Sequence, residues 1–127
     1  MIVLDASVLV AHLDPLDAHH DAATRVLLNA ADEPLLVHPL TLAEVLVGGV
    51  KIGKGAQMQA DLQAAGVRLA PRDDDEPLRL AELRATTTMK LPDCYVLDAA
   101  LTNDARLATF DRALATAAHR LKVSVVA

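Results

Sequence analysis

With 127 residues, 53% of them hydrophobic and 23% charged, the chain can bury a core without disulfide staples and lacks the composition of a disordered segment. Only 2% is aromatic, so the expected core is Leu, Val and Ala, and the single cysteine, Cys94, excludes an internal disulfide framework. A formal net charge of -5 argues against a nucleic-acid binder that works through a basic surface, unless acidic side chains hold cations.

No apolar run approaches the roughly 18 residues of a membrane span, and no basic, apolar leader opens the chain, so a cytosolic protein is expected. No repeat or low-complexity linker divides residues 1–127, which read as one domain. "MIVLD" predicts a short buried strand, followed by a helix from about Ser7 to Leu13. "LDPLDAHH" is a turn, "DAATRVLLNAA" an amphipathic helix, and "PLLVHP" a second strand. Pro39 suits the first turn of a helix through "LTLAEVLVGG", and "AQMQADLQAAG" is a helix that stops at Gly66. "VRLA" is a strand, "DDDEPLRLAELRA" and "LPDCYVLDAALTN" are helices with acidic or proline-led starts, "RLATFD" is a strand, "RALATAAHRL" a helix and "VSVVA" the last strand. Short strands alternating with helices imply a three-layer α/β/α arrangement around a mostly parallel sheet of about five strands.

Open α/β sheets bind ligands beyond the carboxyl ends of their strands, where Asp5 and Asp111 fall. Either aspartate is also a natural N-cap for the helix after it, with Ser7 as a rival to Asp5. Glu44 is the only formally charged residue between Glu33 and Lys51, and its helix neighbours are apolar on every side. A helix apolar all round is buried, so this carboxylate is expected to meet a cation, to be protonated, or to face a cleft. Asp93 follows Pro92 in the first turn of its helix, where a negative charge also complements the dipole. Four carboxylates gathered on one edge repel one another unless a hard cation sits among them, and all-oxygen sites suit Mg²⁺ or Mn²⁺. Such an ion supports phosphodiester hydrolysis.

The ordered set "MIVLDASVLVA", "TLAEVL", "LPDCYVLDAA" and "LATFD" resembles the PIN-domain ribonucleases, most of all the VapC toxins of type II toxin-antitoxin modules, over essentially the whole chain. The resemblance implies that Asp5, Glu44, Asp93 and Asp111 form an acidic quartet around Mg²⁺ or Mn²⁺, with the hydroxyls of Ser7 and Thr109 in support. It further implies a PIN-like fold, a structured RNA substrate, a homodimer, and inhibition by a cognate antitoxin whose C-terminal segment enters the acidic groove.

Asp98 shares a helix with Asp93 but lies about 140° around it, so a salt bridge or an exposed position is expected rather than a metal role. The run Asp73, Asp74, Asp75, Glu76 reads as a solvated loop and helix start. The five histidines show no metal-ligand spacing, and His19 and His20 fall in a surface turn. Cys94 reads as a small buried thiol, and the glycines form no phosphate loop. Tyr95 and Phe110 are too few for a stacking platform, which leaves Lys51, Lys54, Lys90, Arg106 and Arg112 as expected phosphate contacts. Two alternatives stay open. One is an aspartate-dependent phosphohydrolase, although Ser7 stands where a second Asp is usual. The other is a catalytically silent interaction module.

Overall fold

The computed structural model describes residues 1–30 and 32–126. Five short strands, β1 (Ile2–Leu4), β2 (Leu35–Val37), β3 (Val67–Leu69), β4 (Arg106–Ala108) and β5 (Val125–Val126), form one sheet in the order β3-β2-β1-β4-β5. Every pairing is parallel, with Val3 opposite Leu36 on one side and Leu107 on the other. Among the described residues seven helices join them: α1 (Ala6–Leu13), α2 (His20–Asn29), α3 (Pro39–Lys51), α4 (Gly55–Ala64), α5 (Glu76–Thr86), α6 (Leu91–Thr102) and α7 (Arg112–Arg120).

Because successive strand residues point to opposite faces, the apolar runs feed two cores. Ile2, Leu4, Leu35 and Val37 face one layer, with Val8 and Leu9 of α1, Leu27 of α2, Leu42 of α3 and Leu62 of α4. Val3, Leu36 and Leu107 face the other, with Leu97 of α6 and Leu114 of α7. The three-layer α/β/α fold with a parallel sheet expected from the sequence is the observed one. Helix starts follow local chemistry: Pro39, Pro77 and Pro92 stand in first turns, and His38 caps α3 by accepting the Leu40 N–H at 3.1 Å. Gly66, at φ +92°, makes the turn from α4 into β3 that a residue with a Cβ would resist. The expected second helix and last strand reach Ala31 and Ala127, which lie outside the described residues.

The chain builds β1, β2 and β3 outward in one direction and then returns to the other side of β1 for β4 and β5. The topological switch therefore falls between β1 and β4, and the crevice at their carboxyl ends is where this architecture places ligands. No helix among the described residues is long and apolar enough to cross a membrane.

Candidate active site

Asp5 leaves the end of β1 at that crevice, 8% exposed. Its backbone occupies the N-cap of α1, with the carbonyl accepting from the Val8 and Leu9 N–H groups, but its side chain makes no capping hydrogen bond. Instead Oδ2 accepts from Ser7 Oγ at 2.7 Å and from Thr109 Oγ1 at 2.8 Å. Each hydroxyl is fixed in turn by the loop after β4: Ser7 Oγ accepts the Phe110 N–H and Thr109 Oγ1 accepts the Asp111 N–H, both at 3.0 Å. With both hydroxyl protons given to Asp5, the 3.4 Å approach of Ser7 to Thr109 is a van der Waals contact. One carboxylate oxygen is thus clamped by a hydroxyl from the first turn of α1 and one from the loop after β4.

Asp111 is exposed at the N-cap of α7, and here the capping role holds, since Oδ1 accepts the Leu114 N–H at 3.1 Å. Asp93 is half-buried in the first turn of α6. Burial pushes its carboxyl above the usual range, the negative charges of Asp111, Asp5 and Glu44 push it further, and Lys90 pulls the other way. Asp5, Glu44 and Asp111 therefore all lie within electrostatic reach of Asp93. Glu44 corrects one expectation. It is exposed, and α3 is not buried all round: Val47 and Val50 are 51% and 66% exposed. Glu44 faces a cleft, a groove of about 620 Å³ bordered by Val10, Leu13, Gly48, Ile52 and Lys54.

The donor set fits a hydrated hard cation rather than a closed cage. Among the described residues no three His, Cys, Asp or Glu side chains stand close enough to form a ready-made metal site. Oxygen is the ligand type that hard cations take, and Mg²⁺ characteristically keeps several waters and uses only one or two protein carboxylates. Thr41 Oγ1, one helical turn before Glu44, is buried with no hydrogen-bond partner among the described residues. This hydroxyl was not singled out in the sequence, where only its i, i+3 spacing to Glu44 pointed to it.

Other acidic and basic residues fall elsewhere. Asp98 is buried and takes Nε and Nη2 of Arg79 at 2.9 and 3.2 Å, a structural pair. Glu76 is not solvated as expected; it is 3% exposed, with Arg72 Nη2 at 2.6 Å and His38 Nε2 at 3.3 Å. Burial pushes the His38 imidazole below its ordinary value, so at neutral pH Nδ1 accepts from Leu40 while Nε2–H donates to Glu76. Burial acts to raise Glu76, but the hydrogen bonds and charges of Arg72 and His38 outweigh it and hold the group ionised. Arg106, an expected phosphate contact, starts β4 at the far edge of the sheet and pairs with Glu33 at 2.6 Å. Cys94 is fully buried and burial raises its thiol, so it is no nucleophile.

Comparison with known proteins agrees with this architecture. The profile of the PIN domain matches residues 2–120, and the chain belongs to the PIN-domain family. Solved structures with the same fold include Mycobacterium tuberculosis VapC20, described as a Sarcin-Ricin loop cleaving toxin, at TM-score 0.76 and 17% identity over 92% of this chain and 95% of that one. A toxin-antitoxin complex from Klebsiella pneumoniae matches at TM-score 0.75 and 20% identity, covering 100% of this chain and 97% of the other. VapBC2 from Rickettsia felis, bound to a DNA fragment from its promoter, matches at 0.73 and 19%, covering 99% and 98%. No curated protein matches the sequence.

Proposed function

We propose that this PIN-domain protein is a metal-dependent endoribonuclease acting as the toxin of a toxin-antitoxin module, with Asp5, Glu44, Asp93 and Asp111 as its catalytic and metal-holding residues and Ser7 and Thr109 in support. The observation that carries the reading is the convergence of negative charge on Asp93, whose carboxyl Asp111, Asp5 and Glu44 all push upward, with Asp5 standing at the β1 end of the switch point. Acids are not gathered in this way for stability, and capping accounts only for Asp111.

When bound, Mg²⁺ or Mn²⁺ supplies Lewis acidity, lowering the pKa of water and offsetting charge on phosphodiester oxygens. The chain's own part is positional. Ser7 and Thr109 hold Oδ2 of Asp5 and so fix the orientation of its other oxygen. The cap to Leu114 does the same for Asp111. Lys90, close enough to Asp93 to act on its charge, and Arg112, the residue after Asp111, are the basic side chains this reading assigns to RNA phosphates.

The apolar groove beside Glu44 supports the antitoxin partner: an extended or helical segment seated against Val10, Leu13 and Ile52 brings a basic side chain to the acid cluster. Known proteins of this fold include toxin-antitoxin complexes. A homodimer belongs to the same proposal, and so does a cytoplasmic location. The test is to express the unsubstituted chain and Asp5→Asn separately, then map RNA 5′ ends with Mg²⁺ and with chelator. Discrete cuts that need both Asp5 and the ion are expected. Equal cutting by Asp5→Asn, or none by either protein, contradicts the reading, and the second result favours a silent interaction module.

A further inference from the structure

The acid-bearing edge carries an aromatic element that composition conceals. His19, the residue before α2, lays its imidazole on Phe110 with ring centroids 4.5 Å apart and planes 12° from parallel. Phe110 stands between Thr109 and Asp111, and its N–H donates to Ser7 Oγ, the hydroxyl that holds Asp5. It is half-buried and packs against the core shared by α1 and α2, so the inner ring of the stack is tied to both the core and the acids. His19 is the exposed outer ring. Its N–H donates to Asp17 Oδ1 at 2.8 Å and its carbonyl accepts from Ala23, which fixes its backbone. Among the described residues its ring nitrogens make no hydrogen bond. Those of the neighbouring histidines are engaged, His12 with the Thr24 hydroxyl and His20 with the Ala11 carbonyl.

We propose that His19, backed by Phe110, is a stacking plate for an unpaired nucleobase of the RNA, next to the nucleotide being cut. The inference rests on the ribonuclease reading above. Proteins read unpaired bases by stacking them on aromatic rings, and each stacked base contributes about 1–3 kcal/mol with little sequence preference. The imidazole is already held parallel to Phe110, so less freedom is lost when a base covers its outer face. This contact supplies affinity where four carboxylates repel phosphates, and its place beside Asp111 puts the stacked base at the site rather than along a remote track. His19 is thus a positioning residue whose effect falls on substrate binding.

The test reads binding separately from cleavage. In an Asp5→Asn background, which leaves RNA intact, the affinity of a fluorescein-labelled single-stranded oligoribonucleotide is measured by anisotropy with Mg²⁺ for His19, H19A, H19L and H19Y. Leucine fills similar volume without an aromatic face. Weakening of about tenfold by both H19A and H19L, with recovery in H19Y and little effect on a blunt RNA duplex, is the expected pattern. With Asp5 intact, H19L should raise KM and leave kcat nearly unchanged. Equal affinity for H19L and His19, or a change confined to Tm, overturns the stacking plate even if cleavage is robust. A His19-dependent affinity in a chain that cuts nothing supports the plate and sinks the nuclease reading. Absence of both binding and cutting sinks both.

Discussion

Thr109 and Asp5, 104 residues apart, are joined by a 2.8 Å hydrogen bond across the β1–β4 switch point, and the same hydroxyl receives the Asp111 N–H at 3.0 Å. One side chain therefore aligns two of the four acids. Thr109→Val keeps the shape and removes both interactions, leaving the buried Asp5 oxygen with Ser7 alone. A stability loss of about 1–3 kcal/mol is expected, together with a fall in kcat at saturating Mg²⁺. Thr109→Ser should restore most of each. Denaturant titrations paired with single-turnover cleavage check this, and full activity in Thr109→Val would show that the hydroxyl does not position the acids.

The second prediction concerns the metal-free protein. The folded state raises the Asp93 pKa, so the native chain binds that proton more tightly than the unfolded one. Stability linked to Asp93 is then gained as pH falls through the raised value and lost above it. At neutral pH without divalent ions, Asp93→Asn should raise Tm, and the gain should shrink toward acid pH. Mg²⁺ should raise Tm of the unsubstituted protein and do so less for the variant. Thermal scans at several pH values with and without chelator give all these comparisons, and a lower Tm for Asp93→Asn at neutral pH would contradict them.

His38 carries the opposite sign. Its folded pKa lies below the ordinary histidine value because of burial, so its contribution is present when it is neutral and is lost as pH falls below about 6.5. Glu76, held below the ordinary glutamate value, loses its contribution in turn at lower pH. His38→Asn keeps a good cap for α3 but removes the reach to Glu76. It should flatten the dependence of stability on pH just below 6.5. Flattening should be partial, because His12 is also lowered, by burial and by the charge of His20. Chemical denaturation across this range measures the slope, and an unchanged slope would mean that His38 is not buried neutral.

Asp98 separates fold from catalysis. Arg79→Met leaves this carboxylate buried and unpaired, which should cost about 3–5 kcal/mol. Asp98→Asn should leave cleavage close to that of the unsubstituted chain, in contrast to Asp93→Asn. Loss of metal affinity in Asp98→Asn, measured by calorimetry, would place it in the site after all.

Strands and helices were legible because the apolar runs are short and punctuated by Pro, Gly and acidic starts. The position of Asp5 just past β1 followed from that pattern, whereas β4 stops at Ala108 and Asp111 lies beyond it as the N-cap of α7. Less visible was anything that depends on which elements become neighbours. Glu44 looked enclosed because α3 is apolar on all sides, yet part of that surface faces outward at Val47 and Val50. Glu76 sat in a polar run that reads as solvated, and only the arrival of β2 and His38 encloses it. Arg106 is close in sequence to Asp111 but at the opposite end of its strand, since a parallel strand carries its first residue to the far edge. His19 stacks on a ring 91 positions away, a relation no local pattern encodes.

The central claim is that Asp5, Glu44, Asp93 and Asp111 share one divalent ion or ion pair. Anomalous diffraction from a crystal soaked in Mn²⁺ tests it most directly. The account predicts a strong manganese peak in the β1–β4 crevice, bound directly by one or two of these carboxylates and through waters by the others, and lost in Asp5→Asn. A well-occupied Mn²⁺ elsewhere, with none at the β1–β4 crevice, would contradict it.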